Sequence, residues 1–198
     1  MREIFFLILI IAAGLQFYKH SNPVSLGPGV MASGVPQQGR IRSPVIHTVD
    51  EYTITEVTKF QIKAKVLAKE KYYIDRGSDL SPIDLALGWG KMSDESVLET
   101  IDISQSGRFY RWRVKSFPIP RREIETHSAN MHLIPANDSV KSDIGRIRQG
   151  DIVEISGSLV NVISNTDGWS WVSSQTRTDT GNGACELIWV KSLNIVTP

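Results

Sequence analysis

Two histidines five positions apart, His127 and His132, lie with Asn130 in the uncharged run HSANMHLIPAN. Imidazoles titrate near neutrality, so either ring suits proton transfer, and Asn130 could orient one of them. In a strand a five-residue step places the two rings on opposite faces, and in a helix it separates them by about 140°. Only an irregular loop would bring both to one ion, and zinc would need a third ligand from elsewhere. Three readings stay open: a metal site, a catalytic or ligand-binding imidazole, and hydrogen-bonded histidines that organise a connection. The last asks least of the chain.

RTDTGNGACE, residues 177–186, holds Arg177, Asp179 and two glycines. An arginine beside backbone amides exposed by glycine suits a carboxylate or phosphate. The same string is also an ordinary long hairpin turn, with glycines supplying positive φ and Asp179 folded back on its own backbone. A small hydrolase would need His127, Asn130 and His132 to meet Arg177 and Asp179 in one pocket. Cys185 is a poor nucleophile on sequence grounds. It opens an apolar strand beside Glu186, whereas activated thiols sit near positive charge or a helix N-terminus, so it reads as a small core residue.

A third constellation is cationic. Arg108, Arg111, Arg113, Lys115, Arg121 and Arg122 fall in a stretch, 107–122, that contains no acid and interleaves them with Phe109, Tyr110, Trp112 and Phe117. In a cytoplasmic barrel such a stripe would suit single-stranded nucleic acid. Outside the cytoplasm it suits anionic lipid headgroups, glycans or an acidic protein surface, with Arg108, Arg111, Arg113, Lys115 and Trp112 as contacts. The competing reading is a solvated sheet face whose arginines pair with acids on neighbouring strands, such as Glu154.

The elements that must position these groups follow from composition and period. A chain of 198 residues with 41% apolar and 22% charged side chains suits one globular core. Its formal net charge is +1, and removing the first twenty residues leaves 20 basic against 20 acidic side chains. That balance gives no global field, and no nucleic-acid partner is expected. A single cysteine excludes an intramolecular disulfide and any multi-cysteine zinc site, and no cofactor is implied.

At the N-terminus, Arg2 and Glu3 precede an apolar run from Ile4 to Leu15 that Phe17 and Tyr18 extend to Lys19. A membrane span takes about 20 helical residues and a signal-peptide core about 7 to 15, so this run lies between the two. Cleavage after Ala12 or Gly14, the nearby pair of small residues, would leave barely two turns of core. Residues 1–20 therefore read as an uncleaved signal-anchor, a single-pass transmembrane helix with Tyr18 and Lys19 at the interface. The following domain is then expected outside the cytoplasm, in a bacterium the periplasm.

Four prolines and four glycines punctuate 21–44, so residues 21–50 read as a tether and 51–198 as one globular domain. Phe60, Ile62, Ala64 and Val66 alternate with polar residues and predict a half-buried strand. Ser81 and Pro82 predict a short helix ended by Gly88 and Gly90, and Ser93 predicts a cap on a second. GRFYRWRVKSF returns to period two, the 123–134 stretch has a weak strand signal, and GDIVEISGSLVNVI is a strong strand in which Gly157 marks a bulge or a close approach. WSWVSS and CELIWVKSL add two more. The sum is a mainly β fold with short inserted helices, a small antiparallel β-barrel of five or six strands behind an N-terminal transmembrane helix.

Two resemblances extend this. GDIVEISGSL, with its acidic entry, alternation and mid-strand glycine, resembles a strand of OB-fold barrels over about 100 residues, which implies an OB-like barrel. LGPGV, DLALGWGKMSD, HSANMHLIPA and RTDTGNGACELIWV resemble strings of an uncharacterised family of bacterial proteins with an N-terminal membrane segment, over nearly the whole chain. That likeness implies inner-membrane attachment and carries no activity. The expectation is a membrane-tethered extracytoplasmic binding module, with an envelope protein or an anionic ligand as partner, and the hydrolase as its rival.

Overall fold

The computed structural model describes residues 22–176 and 183–196, and over that range the protein is mainly β. The expected membrane anchor lies outside the described residues, and no described helix is long and apolar enough to cross a membrane.

Nine strands form. β1 (Gln37–Val49) turns through Asp50 into β2 (Tyr52–Lys71), a strand of 20 residues. β3 (Ile83–Gly88), the hairpin β4 (Ile101–Ser106) and β5 (Phe109–Val114), β6 (Ser128–Pro135), β7 (Ile152–Ser164), β8 (Ser170–Val172) and β9 (Glu186–Ile195) follow. Pairing closes a ring: β2 bonds β3, β3 bonds β6, β6 bonds β9, β9 bonds β7, and β7 returns to β2. Among the described residues only the β6–β9 pair is parallel. β1 and β8 lengthen the sheet beyond the ring, and β4–β5 stands as a separate hairpin.

The ring exists because alternate residues agree on one interior. Phe60, Ile62, Ala64 and Val66 of β2 meet Leu85 and Leu87 of β3, Met131 and Leu133 of β6, Val153 and Ile155 of β7, and Ile188 and Val190 of β9. Each such Leu or Ile, fully withdrawn from water, contributes about 1.5–3 kcal/mol. Between β6 and β7, helix α3 (Asp138–Arg146) closes one end with Val140 and Ile144. Asn137 caps its start by accepting from the Val140 amide at 3.0 Å. Lys69 Nζ donates to the carbonyls of Ile144, Gly145 and Ile147 at its end, where a cation meets the negative pole of the helix. Two further short α-helices among the described residues, α1 (Glu95–Leu98) and α2 (Arg121–Thr126), flank the β4–β5 hairpin.

Several sequence expectations need correction. The helix expected after Ser81 is strand β3, all six residues of which are buried. Both of its faces are covered, so the period-two signal vanishes and Ser-Pro at its start imitates a helix entry. The 123–134 stretch is α2 followed by β6, another strand buried on both sides. The second short helix exists, with Asp94 rather than Ser93 at its N-cap.

The proline- and glycine-rich segment is not a free tether over its described part. Residues 37–49 form β1, and 24–32 make a strap clamped to the barrel. The Leu26 and Gly27 amides and the Ser25 hydroxyl donate to the Glu95 carboxylate at 2.7–2.8 Å, and the Gly29 amide donates to Asp94 at 2.9 Å. Ser93 Oγ accepts from the Met31 and Ala32 amides, and the Val24 amide reaches the Gln149 carbonyl. A segment without periodicity is thus held by distant acids and a hydroxyl instead of by a ladder. Gly150, at φ +90°, is what lets the strap pass, since a Cβ there would sit 1.8 Å from the Val24 carbonyl oxygen.

Candidate functional site

The β4–β5 hairpin leans against β6, and a groove of about 780 Å³ opens between them. Parity along β5 divides its side chains. Tyr110, Trp112 and Val114 turn inward onto a small core with Ile101, Ile119 and Ile124, while Arg111 and Arg113 are exposed. Arg111, Arg113, Lys115 and Arg121 line the groove together with Trp112 and Phe117. Arg111 donates only to Ser106, and Arg121 pairs with Glu125 one helical turn on. Arg113 and Lys115 form no ion pair among the described residues, although Asp102 faces Arg113 across the ladder. Glu154, the acid expected to neutralise this face, pairs instead with Lys63 at 3.6 Å. Burial, against a bond to Ser128, pushes the Tyr110 phenol up to about 12, so it stays a proton donor on the groove floor.

Arg108 is elsewhere. With Gly107 it forms the two-residue turn of the hairpin, both at positive φ (57° and 69°), and its side chain leaves on the opposite face from Arg111. There Nη1 donates to Asp84 Oδ1 and to the Ser81 carbonyl at 2.8 Å, Nη2 donates to Asp75, and the guanidinium lies 3.8 Å over the Tyr72 ring. Its charge is consumed by the fold.

Asp84 leads to the second feature. It is the registered partner of His132 across β3 and β6, and His132 Nδ1 lies 2.9 Å from its Oδ2 with both side chains almost fully buried. The Trp171 ring lies over the imidazole at 4.7 Å between centroids. His132 is in turn registered with Leu187 of β9, and Cys185, two residues earlier on that face, is an electrostatic neighbour of the same imidazole. Burial works against the charged ring, but the Asp84 carboxylate and the Cys185 side chain outweigh it and hold His132 up at about 9. Asn130 bonds neither histidine. Its amide donates to the Arg108 carbonyl at 3.0 Å, lies 3.9 Å from Cys185 Sγ, and accepts from Gln105 at 2.5 Å.

His127 ends α2 and packs its ring against the buried Trp89, with Nδ1 facing Thr126 Oγ1 and the Glu123 carbonyl. The strand that follows carries His132 away from it, so the two rings are not brought together. Arg177 and Asp179 lie outside the described residues. Asp84 was not among the residues singled out from the sequence, although it is the lone acid in the apolar run IDLALG. In sequence Cys185 has only apolar neighbours and the acid Glu186, whereas the fold brings it near His132, 53 positions away. Among the described residues no cluster of three His, Cys, Asp or Glu side chains is arranged to hold a metal ion. Compared with known protein families, curated proteins and solved structures, the chain finds no match.

Proposed function

We propose that the protein is a membrane-tethered extracytoplasmic binding module, an OB-like barrel whose groove along β5 takes an anionic ligand, either an envelope component or an acidic partner surface. The observation that carries this reading is the groove itself. It is of small-ligand size, and it holds two cations without ion-pair partners among the described residues beside aromatic rings that can stack on or shield a ligand.

Architecture supports it. In OB-fold barrels the second and third strands, with the loops around them, form the usual ligand face. β3 and β6 occupy those places in the ring, and the groove opens beside β6. The apolar run Ile4–Leu15 and the likeness to a bacterial family with a membrane segment support attachment and an extracytoplasmic place. The described chain adds a short leash, because residues 24–32 are bound to the barrel.

Charge reversal tests the reading. In the full-length chain, Arg111→Glu with Arg113→Glu should weaken binding of polyphosphate, used as a generic polyanion, at least tenfold at physiological salt and abolish partner capture by in-cell crosslinking. The unfolding midpoint should stay near wild type, since both side chains are exposed. Unchanged binding and capture by a folded double variant would overturn it. A reporter fused to the C-terminus and active only in the cytosol would overturn the location.

A further inference from the structure

We propose that Cys185, His132 and Asp84 form a nucleophilic thiol site at the end of the groove, able to take the acyl group of an ester or thioester. Three neighbouring strands bring the residues to one outer face of the barrel: Asp84 from β3, His132 from β6 and Cys185 from the entry to β9. The set of groups is the one nucleophilic catalysis needs, with a carboxylate 2.9 Å from an imidazole and a thiol on the same face two residues from the imidazole's register position. His132 Nδ1 lies 2.9 Å from Asp84 Oδ2, and Arg108 and Ser81 hold Oδ1 at 2.8 and 3.3 Å. Trp171 packs against the ring, tilted by 52°. The thiol alone of the three lines the groove, half-buried, with the Asn130 amide nitrogen 3.9 Å from sulfur and able to donate to an oxyanion formed there.

Packing gives no reason for this set. Asp84 already has Arg108 as a counter-charge, and apolar residues of similar volume at buried positions of this kind are as stabilising as ion pairs or more so. The titratable groups near His132 are Asp84 from β3 and Cys185 at the entry to β9, with Arg108 of the hairpin turn bound to Asp84, and Asp75 and Tyr72 behind Arg108.

The reaction balances without a cofactor. The Cys185 thiolate adds to the acyl carbon, the bond to the leaving oxygen or sulfur breaks, and the leaving group takes the proton from the His132 imidazolium. Neutral His132 then accepts a proton from water as that water adds to the thioester. The carboxylic acid leaves, and the thiolate–imidazolium pair is restored.

The test uses neutral reagents, so it does not depend on the groove's preference for anions. In the full-length chain, iodoacetamide at pH 6.5 should alkylate Cys185 at least tenfold faster than it does free glutathione. 4-Nitrophenyl acetate should release nitrophenolate in a burst that matches one acetyl group on Cys185 by intact mass. Cys185→Ser should remove the burst, and His132→Gln should slow alkylation at least tenfold. Asn130→Ala should slow acetylation more than alkylation, because only acetylation passes through an oxyanion. Asp84 acts through His132 as a positioning residue, so Asp84→Asn should move the pH profile of alkylation as well as its rate. A wild-type Cys185 that reacts no faster than glutathione and forms no acetyl adduct would overturn the proposal, whatever the variants do.

Discussion

Glu95→Ala removes the acceptor of four hydrogen bonds: from Ser25 Oγ, the Leu26 and Gly27 amides, and Lys65 Nζ at 2.8 Å. The two amides and the hydroxyl can turn to water once the strap lifts, so their loss is partly recovered. Lys65 cannot. Its side chain is 4% exposed, and without Glu95 it keeps only the Gly150 carbonyl at 3.3 Å. Breaking a buried pair from one side costs about 3–5 kcal/mol, and the remaining carbonyl places this case near 3. Urea unfolding followed by tryptophan fluorescence at pH 7 should show that loss, with new proteolytic cleavage within 24–34. Lys65→Met in the same chain should restore most of the stability and leave the strap loose. The wild type adds an acid signature. Burial opposes ionisation of Glu95, but Lys65 and the strap donors hold it down at about 2, below its free value of 4.5. Its contribution is therefore full above pH 4.5 and is lost as pH falls toward 2. The displacement is worth at most about 3 kcal/mol, screened at the rim to about 1–2. A Glu95→Ala protein within 1 kcal/mol of wild type, its strap still protected, would refute this account.

Two further expectations concern the barrel. Gly157→Ala places a Cβ 2.1 Å from the Trp189 carbonyl oxygen where β7 shifts register against β9, and should cost about 1–3 kcal/mol in urea unfolding. Gly145→Ala in α3 meets nothing within 4 Å and should gain about 0.5–1 kcal/mol in the same assay. His132, held at about 9 against a free value near 6.5, stabilises fully below pH 6.5 and loses that contribution as pH rises toward 9. The wild-type melting temperature should therefore fall between pH 6.5 and 8 relative to His132→Phe. Lys69, lowered by burial to about 8, contributes the opposite slope above that window.

How much of this was legible depended on whether a residue's partners were near in sequence or imposed by pairing. The alternation of β2, the parity of β5 and the bulge at Gly157 are local patterns, and they read correctly. β3 and β6 did not, because a strand covered on both faces has no period-two signature. The strap failed for a different reason: its amides answer to Ser93, Asp94 and Glu95, more than sixty positions on. The cationic residues of the groove were visible as a stripe without acids. The fate of Arg108 was visible only in its parity and in the glycine before it. Nothing short-range joins Asp84, His132 and Cys185, since the parallel β6–β9 pairing that assembles them spans the intervening helix, β7 and β8.

That pairing also sets when the barrel can exist. β9 is wedged between β6 and β7, and its last ladder residue is Ile195. During synthesis β6 and β7 must wait with raw edges open until 186–195 has left the ribosome. Such edges invite pairing with other chains. Loss of even the final ten ladder residues should therefore yield a sticky, unclosed sheet rather than a slightly weakened protein.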